Sequence, residues 1–366
     1  DAFFLSPLSD GYRQGASSMV VIGPYNYVLK QGGYGGNAND WYLVSASEGA
    51  YRPEVGAYLD NRFVAMSSQW HTLWDRQLQP SATSSHEQNP DSTSWVRVQG
   101  DFSKRKSSHF RSRNDSYLLH FGSDVARWNV GEGSLRVGAM AAMVNSSGST
   151  RARGQDSGRA NQSLNGVSVG AYATWYGSAE AGVGPYVDTW LMGGRFKSKV
   201  SGDGLASERY YANAYSASIE AGYGMQIYQS SADQNATRVI VQPQMQIIAS
   251  KYRASNHVEN SGITVSGLNA GGINTRIGAR IYADTPGKSH SLRPYMELNW
   301  WHGPSSRAIS FDDVAVRDKL PANRGELKLG VDGHLTKHLM LWGNAGVQTG
   351  SGYTDRMVSV GVGYRW

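Results

Sequence analysis

From about Thr93 to Trp366 the sequence is built of segments in which apolar residues alternate with small or polar ones. The last segment is the plainest: Val358, Val360, Val362, Tyr364 and Trp366 fall on one side of an extended chain, and Ser359, Gly361, Gly363 and Arg365 fall on the other. Successive side chains of a strand point to opposite faces. An apolar outside against a small or polar inside is what a lipid-facing strand around a wet lumen requires. Twelve candidate strands begin near Trp95, Tyr117, Leu135, Val167, Val183, Tyr215, Val239, Ile273, Leu292, Glu326, Leu339 and Arg356. Many exceed the usual globular length of about five or six residues, and a membrane strand needs about nine to eleven.

The connections repeat a second pattern. Short joins (Asn129–Ser134, Ser178–Ala181, Asp284–His290, Thr336–His338) alternate with long polar ones (Arg105–Asp115, Ser146–Gln162, Lys197–Tyr210, Ala254–Asn269, Gly303–Asn323). Outer-membrane barrels have short periplasmic turns and long external loops, and an even strand count puts both barrel ends in the periplasm. Gln229–Ala236 is only moderately short and Thr349–Tyr353 is short where a long loop belongs. The polar, basic Arg105–Asp115 loop would lie outside as a solvated loop or near anionic lipopolysaccharide.

Composition agrees. Charged residues make up only 17% of the 366 residues, whereas Gly reaches 44, Tyr 21 and Trp 11. Low charge with abundant aromatics suits a β-protein with aromatic girdles. No run of about 18 apolar residues occurs, so no transmembrane helix is expected. Cysteine is absent, which excludes disulfides, thiol nucleophiles and Cys-ligated zinc and fits passage through an oxidising periplasm. The net charge of +6 comes from scattered basic residues, so it is assigned to a polar lumen and loops rather than to nucleic-acid binding. Asp1 opens no signal peptide, so an exported chain is expected here as a mature or truncated piece.

Two shorter regions precede the strands. Up to about Ala50, runs such as Ser18–Ile22, Tyr25–Leu29 and Trp41–Val44 alternate with Gly-rich turns, notably Gly32–Gly36. A Gly-rich turn can cradle phosphate where a helix follows it, but Trp41-Tyr42-Leu43 reads as another strand. From Tyr51 to Gln79 the period changes: Val55, Leu59, Phe63, Met66, Trp70 and Leu73 recur every three or four residues. Pro53 suits the first helical turn and Pro80 stops the run. At 1.5 Å per residue this predicts a helix of roughly 40 Å, long enough to cross an apolar band of about 25 Å. The same stripe also fits a helix on a soluble core. A polar linker follows, Ser81–Ser92.

Catalytic patterns are weak. His71, His86, His109, His120, His257, His290, His302, His334 and His338 form no HExxH pattern, and the His334/His338 pair flanks a turn rather than lying on a helix. There is no GxSxG elbow. Glu180, Asp188, Glu220 and Glu297 are expected to pair with Arg97, Arg136, Arg276 and Arg280 in a narrow lumen, or to touch the helix, because buried charges need partners. No catalytic residue, metal site or cofactor is expected. A barrel enzyme, with acids and His at the rim or Ser and His on the wall, remains an alternative. So does a barrel that merely anchors an adhesin.

Three regions resemble the type V autotransporters of the adhesin type, the self-secreting proteins of Gram-negative bacteria. Gly23-Pro24-Tyr25-Asn26-Tyr27-Val28-Leu29, Gly32-Gly33 and Asp40-Trp41-Tyr42-Leu43 resemble the closing strands of a pertactin-like β-helical passenger. Tyr51-Arg52-Pro53-Glu54-Val55-Gly56-Ala57-Tyr58-Leu59, ending near Trp74-Asp75-Arg76, resembles the family's linker helix. Val358 to Trp366 resembles its last strand, whose terminal aromatic the barrel-assembly machinery reads. The resemblance implies an all-β fold: a transmembrane, twelve-stranded antiparallel barrel with an α-helix in the pore, preceded by the end of a β-helical passenger. The boundaries are then 1–50, 51–80, 81–93 and 94–366.

The implied function is export and surface anchoring of the chain's own passenger, an adhesin or aggregation factor, by a monomeric barrel in the outer membrane. Passenger folding outside would help drive export, with the region before the helix as its folding nucleus. The implied partners are outer-membrane lipid, lipopolysaccharide, the assembly machinery and that passenger. Val360, Gly361, Val362, Tyr364 and Trp366 would serve assembly, and Val55, Leu59, Asn61, Phe63, Met66 and Trp70 would belong to the pore helix. Some relatives cut this helix at an Asn-Asn pair. None occurs between Tyr51 and Pro80, and Asp60-Asn61 is the nearest echo. Asn61 could cyclise onto its own backbone beside an acid, or be a polar helix residue facing the lumen; the expected outcome is an attached passenger, or one cut elsewhere.

Overall fold

The structure is a computed structural model that describes residues 12–13, 19–31, 41–45, 51–77, 92–153, 158–178, 182–231, 236–285, 292–336 and 338–366. The Gly32–Gly36 turn, most of the Ser81–Ser92 linker and Glu180 lie outside them. The chain opens with β1 (Tyr12–Arg13), β2 (Met19–Ile22), β3 (Tyr25–Gln31) and β4 (Trp41–Ser45), paired in order as one antiparallel sheet. Two helices follow, α1 (Pro53–Ser67) and α2 (Leu73–Arg76).

Then come β5 (Thr93–Lys106), β6 (Phe110–Val130), β7 (Gly133–Ala152), β8 (Ala160–Tyr176), β9 (Gly184–Gly202), β10 (Glu208–Gln229) and β11 (Arg238–Ala254). The pairs β12 (His257–Val258) with β13 (Thr264–Ser266), and β16 (Ser306–Phe311) with β17 (Val314–Lys319), lie in two connections. The remaining strands are β14 (Ala270–Asp284), β15 (Leu292–His302), β18 (Asn323–His334), β19 (Leu339–Gly350) and β20 (Tyr353–Arg365). Twelve of these strands, β5–β11, β14, β15 and β18–β20, pair with their neighbours into a closed antiparallel barrel. Closure joins β20 to β5, from Tyr353 opposite Arg105 to Arg365 opposite Thr93. Beyond that ladder, Ser92 and Trp366 exchange backbone hydrogen bonds of 3.0 and 2.9 Å.

The period-two pattern sets the faces. Along β11, Gln242, Gln244, Gln246, Ile248, Ser250 and Tyr252 are buried inward, while Met245 and Ile247 are exposed outward. Exposed aliphatics continue around the wall, for example Val98, Leu119, Val167, Leu191, Ile219, Ile277, Leu298 and Val360. A continuous apolar surface of this kind needs lipid against it. The lumen holds the buried charges, among them Arg97, Asp188, Glu220, Arg276, Arg280 and Glu297.

All twelve anticipated strands are present, and two expectations about their surroundings change. The segments expected as long external loops are largely paired: β6 has 21 residues, β7 has 20 and β10 has 22. Outside lipid a strand can be polar on its outer face, so polarity there marked solvent and not the end of a ladder. The connections Ala254–Asn269 and Gly303–Asn323 are likewise structured. Their strands form a second sheet, in the order β12-β13-β16-β17, over the outer end of the pore. The β16–β17 turn is Asp312-Asp313, both at positive φ (46° and 64°), the conformation of a type I′ hairpin.

The predicted single helix to Gln79 is also corrected. α1 ends at Ser67 after 15 residues, which is about 22 Å. Trp70 therefore lies beyond the helix end, in a bend before α2. Gly56 allows α1 to approach the wall: a Cβ there would lie 2.7 Å from the Phe110 ring and from Thr150 Cγ2.

On β20, Gly361 faces inward against Trp342, where a Cβ would stand 2.1 Å from the indole. Gly361→Leu is expected to lower the unfolding stability of the detergent-refolded barrel by about 1–3 kcal/mol through overpacking. Gly343→Ala, whose Cβ would meet nothing closer than 3.5 Å, should leave it unchanged. Equal stability of the two variants in denaturant titrations would refute this packing.

Candidate functional site

The site is the lumen and the segment that fills it. Pro53 starts α1 with its fixed backbone angle, and Glu54 sits in the first turn, where the helix dipole favours an acid. Just before it, the Arg52 amide donates to the Pro24 carbonyl at 2.8 Å, tying α1 to the β2–β3 turn. The Arg52 guanidinium bonds Glu259 at 2.6 Å and lies 4.5 Å from the centre of the Phe311 ring. Tyr58 donates to Glu259 at 3.0 Å, and its hydroxyl is 3.1 Å from His257 Nε2. Burial pushes the Glu259 carboxyl above its usual range, and Arg52 pulls it back. The sheet β12-β13-β16-β17 thus clamps the outer end of α1.

One turn further, Asp60 accepts from Arg307 at 3.0 Å and from Asn114 at 3.2 Å, with Arg105 at 3.4 Å. Asn61 donates to the Lys199 carbonyl at 3.2 Å, and Arg62 to the carbonyls of Ala308 (2.9 Å) and Leu268 (3.3 Å). Asp60, Asn61 and Arg62 are all buried, as are most residues on every side of α1. The apolar stripe therefore has no solvent-facing counterpart, because the barrel wall surrounds it.

The bend explains why the periodic pattern outlasted the helix. Ser68 Oγ returns to the Ala65 carbonyl at 3.1 Å, a local bond that competes with helix continuation. Gln69 then reaches Ser168, the Ala214 carbonyl and Ser216 at 3.1, 3.1 and 2.8 Å. The His71 carbonyl accepts from Trp190 Nε1 at 3.2 Å and from Gln246 at 2.8 Å. A carbonyl bonded to the wall in this way is taken out of the helical ladder. Below the bend α2 opens with a Thr72/Asp75 capping box. Asp75 pairs with Lys328 at 3.0 Å, Arg76 with Asp188 at 2.5 Å, and the Leu73 amide with Glu220 at 3.1 Å.

Of the anticipated lumen charges, Glu220 and Glu297 pair with Arg276 at 3.2 and 3.5 Å. Asp188 is bound by the plug. Arg280 takes Asp332 at 2.8 Å, Arg97 bonds His120 at 3.1 Å, and Arg136 lies 3.9 Å from Asp124. Val55, Leu59 and Asn61 are buried, and Phe63 and Met66 half-buried, in α1. Trp70 donates to Ser250 Oγ at 2.9 Å from the bend. Val360, Tyr364 and Trp366 are exposed on the outer wall, Val362 is half-buried there, and Gly361 is buried inward. His338 Nδ1 lies 3.0 Å from the Arg365 carbonyl. Among the described residues no cluster of His, Asp or Glu is placed to hold a metal.

Sequence reasoning missed Glu259, Arg307 and the clamp. The signal was present in the alternation of Ile309, Phe311, Val314 and Val316 about Asp312-Asp313. Two side cavities of about 110 and 90 Å³ remain beside the plug, room for a few waters at about 30 Å³ each. Arg76→Ala would leave Asp188 buried without its cation, at a cost of about 3–5 kcal/mol. The plug should then become protease-sensitive and the unfolding midpoint should fall. A change under about 1 kcal/mol would mean that this pair does not hold the plug.

The family described as the autotransporter beta-domain matches residues 94–346. The chain is 31% identical to the uncharacterized protein YuaQ of Escherichia coli K12, over 94% of this chain and 27% of YuaQ. It is 30% identical to the uncharacterized protein YdeU of the same strain, over 95% of this chain and 81% of YdeU. It therefore spans about a quarter of YuaQ and most of YdeU. The transport unit of the autotransporter AIDA-I from Escherichia coli superposes with a TM-score of 0.74 at 27% identity, over 86% of this chain and 99% of that one. With its closed barrel, lipid-facing wall and plugged lumen, the chain belongs to the autotransporter β-domain family and forms an outer-membrane translocator unit of a Gram-negative bacterium.

Proposed function

We propose that this unit keeps its passenger covalently attached and holds it at the cell surface, where it acts in adhesion or aggregation. The observation that carries the reading is the polarity of the plug. Arg52 sits under the outer sheet by Glu259, whereas Arg76 lies deeper, against Asp188. Whatever precedes Arg52 therefore emerges on the outer side. Residues 1–50 are then the end of a β-helical passenger and its folding nucleus, 51–80 the plug segment, 81–93 the linker and 94–366 the barrel. The adhesin reading draws on the relative named autotransporter adhesin AIDA-I, 29% identical over 95% of this chain and 28% of that protein.

Attachment is favoured by Asp60 and Asn61. The acid is neutralised by Arg307 and Arg105, and the Asn61 amide is spent on the Lys199 carbonyl. Neither is poised for cyclisation. A catalytic role is not assigned: His71 stacks on Trp190 at 4.3 Å, a packing role rather than a reactive one. Outer-membrane lipid and lipopolysaccharide are the partners of the wall, and the barrel acts as a monomer. The barrel-assembly machinery is the partner of the last strand, where Val360, Tyr364 and Trp366 are exposed.

In the full-length protein, removal of residues 53–77 should abolish surface display and raise conductance in planar bilayers while the barrel still folds. Retained display, or unchanged conductance, would count against the plug. A mass spectrum with a new N-terminus at Arg62 would overturn attachment. Trp366→Asp should lower the amount of assembled barrel in cells, and normal levels would argue against recognition at this strand.

A further inference from the structure

The outer wall carries a groove that the translocator function does not use. It has a volume of about 1000 Å³ and crosses the outward faces of β20 and β5–β10. Gly100 opens its floor, flanked by the rings of Phe102 and Tyr117 at 3.4 and 3.8 Å from where a Cβ would stand. Val98, Leu119, Met143 and Val167 line it with aliphatic surface.

Two features set it apart from a plain lipid-facing wall. Asn145 donates to Asn165 at 2.6 Å, an exposed amide pair among the aliphatics. That bond uses one N–H of Asn145 and one acceptor position of Asn165, and a ligand with amide or hydroxyl groups can meet the remaining hydrogen-bonding capacity, which bare acyl chains would leave unmet. The groove also ends at two exposed cations, Arg195 and Lys197.

The strand register orders these features. Gly100 lies opposite Tyr117, then in turn Asn145, Asn165, Lys197 and Tyr211 follow across the sheet. Gly100 is midway along β5, whereas Tyr211 is close to the outer start of β10. Measured from those strand ends, the row rises from Gly100 toward the outer rim at Tyr211. Arg195 is 5.0 Å from the centre of the Tyr211 ring, and Lys199 lies opposite Arg209 one step further out.

We propose that this groove binds one phosphorylated, multiply acylated glycolipid of the outer leaflet, of the lipid A class. Its acyl chains would run along Val98–Val167, its polar linkages would meet Asn145 and Asn165, and its phosphate would sit on Arg195 and Lys197. Guanidinium and ammonium groups suit phosphate. The seven strands under the groove, about 4.8 Å apart, make it roughly 30 Å wide, which suits several parallel chains better than the two of a phospholipid. The inference rests on the outer-membrane orientation assigned above.

The test is native mass spectrometry of the full chain, refolded in detergent, against bisphosphorylated lipid A, dephosphorylated lipid A, phosphatidylglycerol and inorganic phosphate. One bisphosphorylated lipid A per barrel is expected, with the other three at least tenfold weaker. The double variant Arg195→Gln/Lys197→Gln, and separately Gly100→Trp, should each weaken binding at least tenfold. Arg317→Gln/Lys319→Gln, a charge-matched change on the distant outer sheet, should leave it intact. Equal loss in both double variants, equal binding of phosphatidylglycerol or dephosphorylated lipid A, or no binding at all would overturn the site. A chain that stayed monodisperse in buffer without detergent would instead sink the membrane reading, whatever the lipid result.

Discussion

In lipid no solvent can take over a backbone hydrogen bond, so a β-sheet is admissible only if it has no free edge. Everything else in this molecule is arranged around that requirement. The β20–β5 ladder closes the cylinder, and the Ser92–Trp366 exchange extends it to the last residue. Once the wall is closed, the period-two alternation assigns its two environments. Valines, leucines and isoleucines meet lipid, and glutamines, serines and charges meet the lumen.

A closed cylinder with a polar interior is a potential leak, and the plug answers it with chemistry matched to the wall. Ion pairs fix the segment at three depths: Arg52 with Glu259, Asp60 with Arg307 and Arg105, and Arg76 with Asp188. A buried pair gains little net stability because both ions lose water, but breaking one is costly, so such pairs set position more than they set stability. The bend between the helices belongs to the same logic. It turns the His71 carbonyl onto Trp190 and Gln246 and locks the segment to the wall by its backbone. The clamp sheet adds apolar cover from Val265, Ile309, Phe311 and Val316 at the outer end.

The alternation of residues 358–366 stated its own outcome, because the strand period depends on local geometry alone. So did the strand count, since each apolar face had to be matched to lipid. The helical stripe from Val55 to Leu73 was legible as a stripe and misleading as to its length. Its apolar spacing continues through Trp70 and Leu73, but the backbone leaves the helix where Gln69 and His71 find partners on four different strands. Similarly, polar residues in β6, β7 and β9 resembled loops. Their ladders continue because their neighbours in the cylinder do, and no residue in those segments announces that neighbour.

The sequence alone determined the barrel, its strand number, the faces of the wall and a helical segment ahead of it, all properties carried by periodicity and turn chemistry within a few residues. The tertiary structure decided where that helix breaks, which acid meets which base, how two connections join into a clamp, and where the wall is hollowed between Gly100 and Lys197. Those depend on contacts such as Arg52–Glu259 and Asp60–Arg307, between residues some two hundred or more positions apart, and such pairings exist only once closure has brought distant strands to the same height around a common axis.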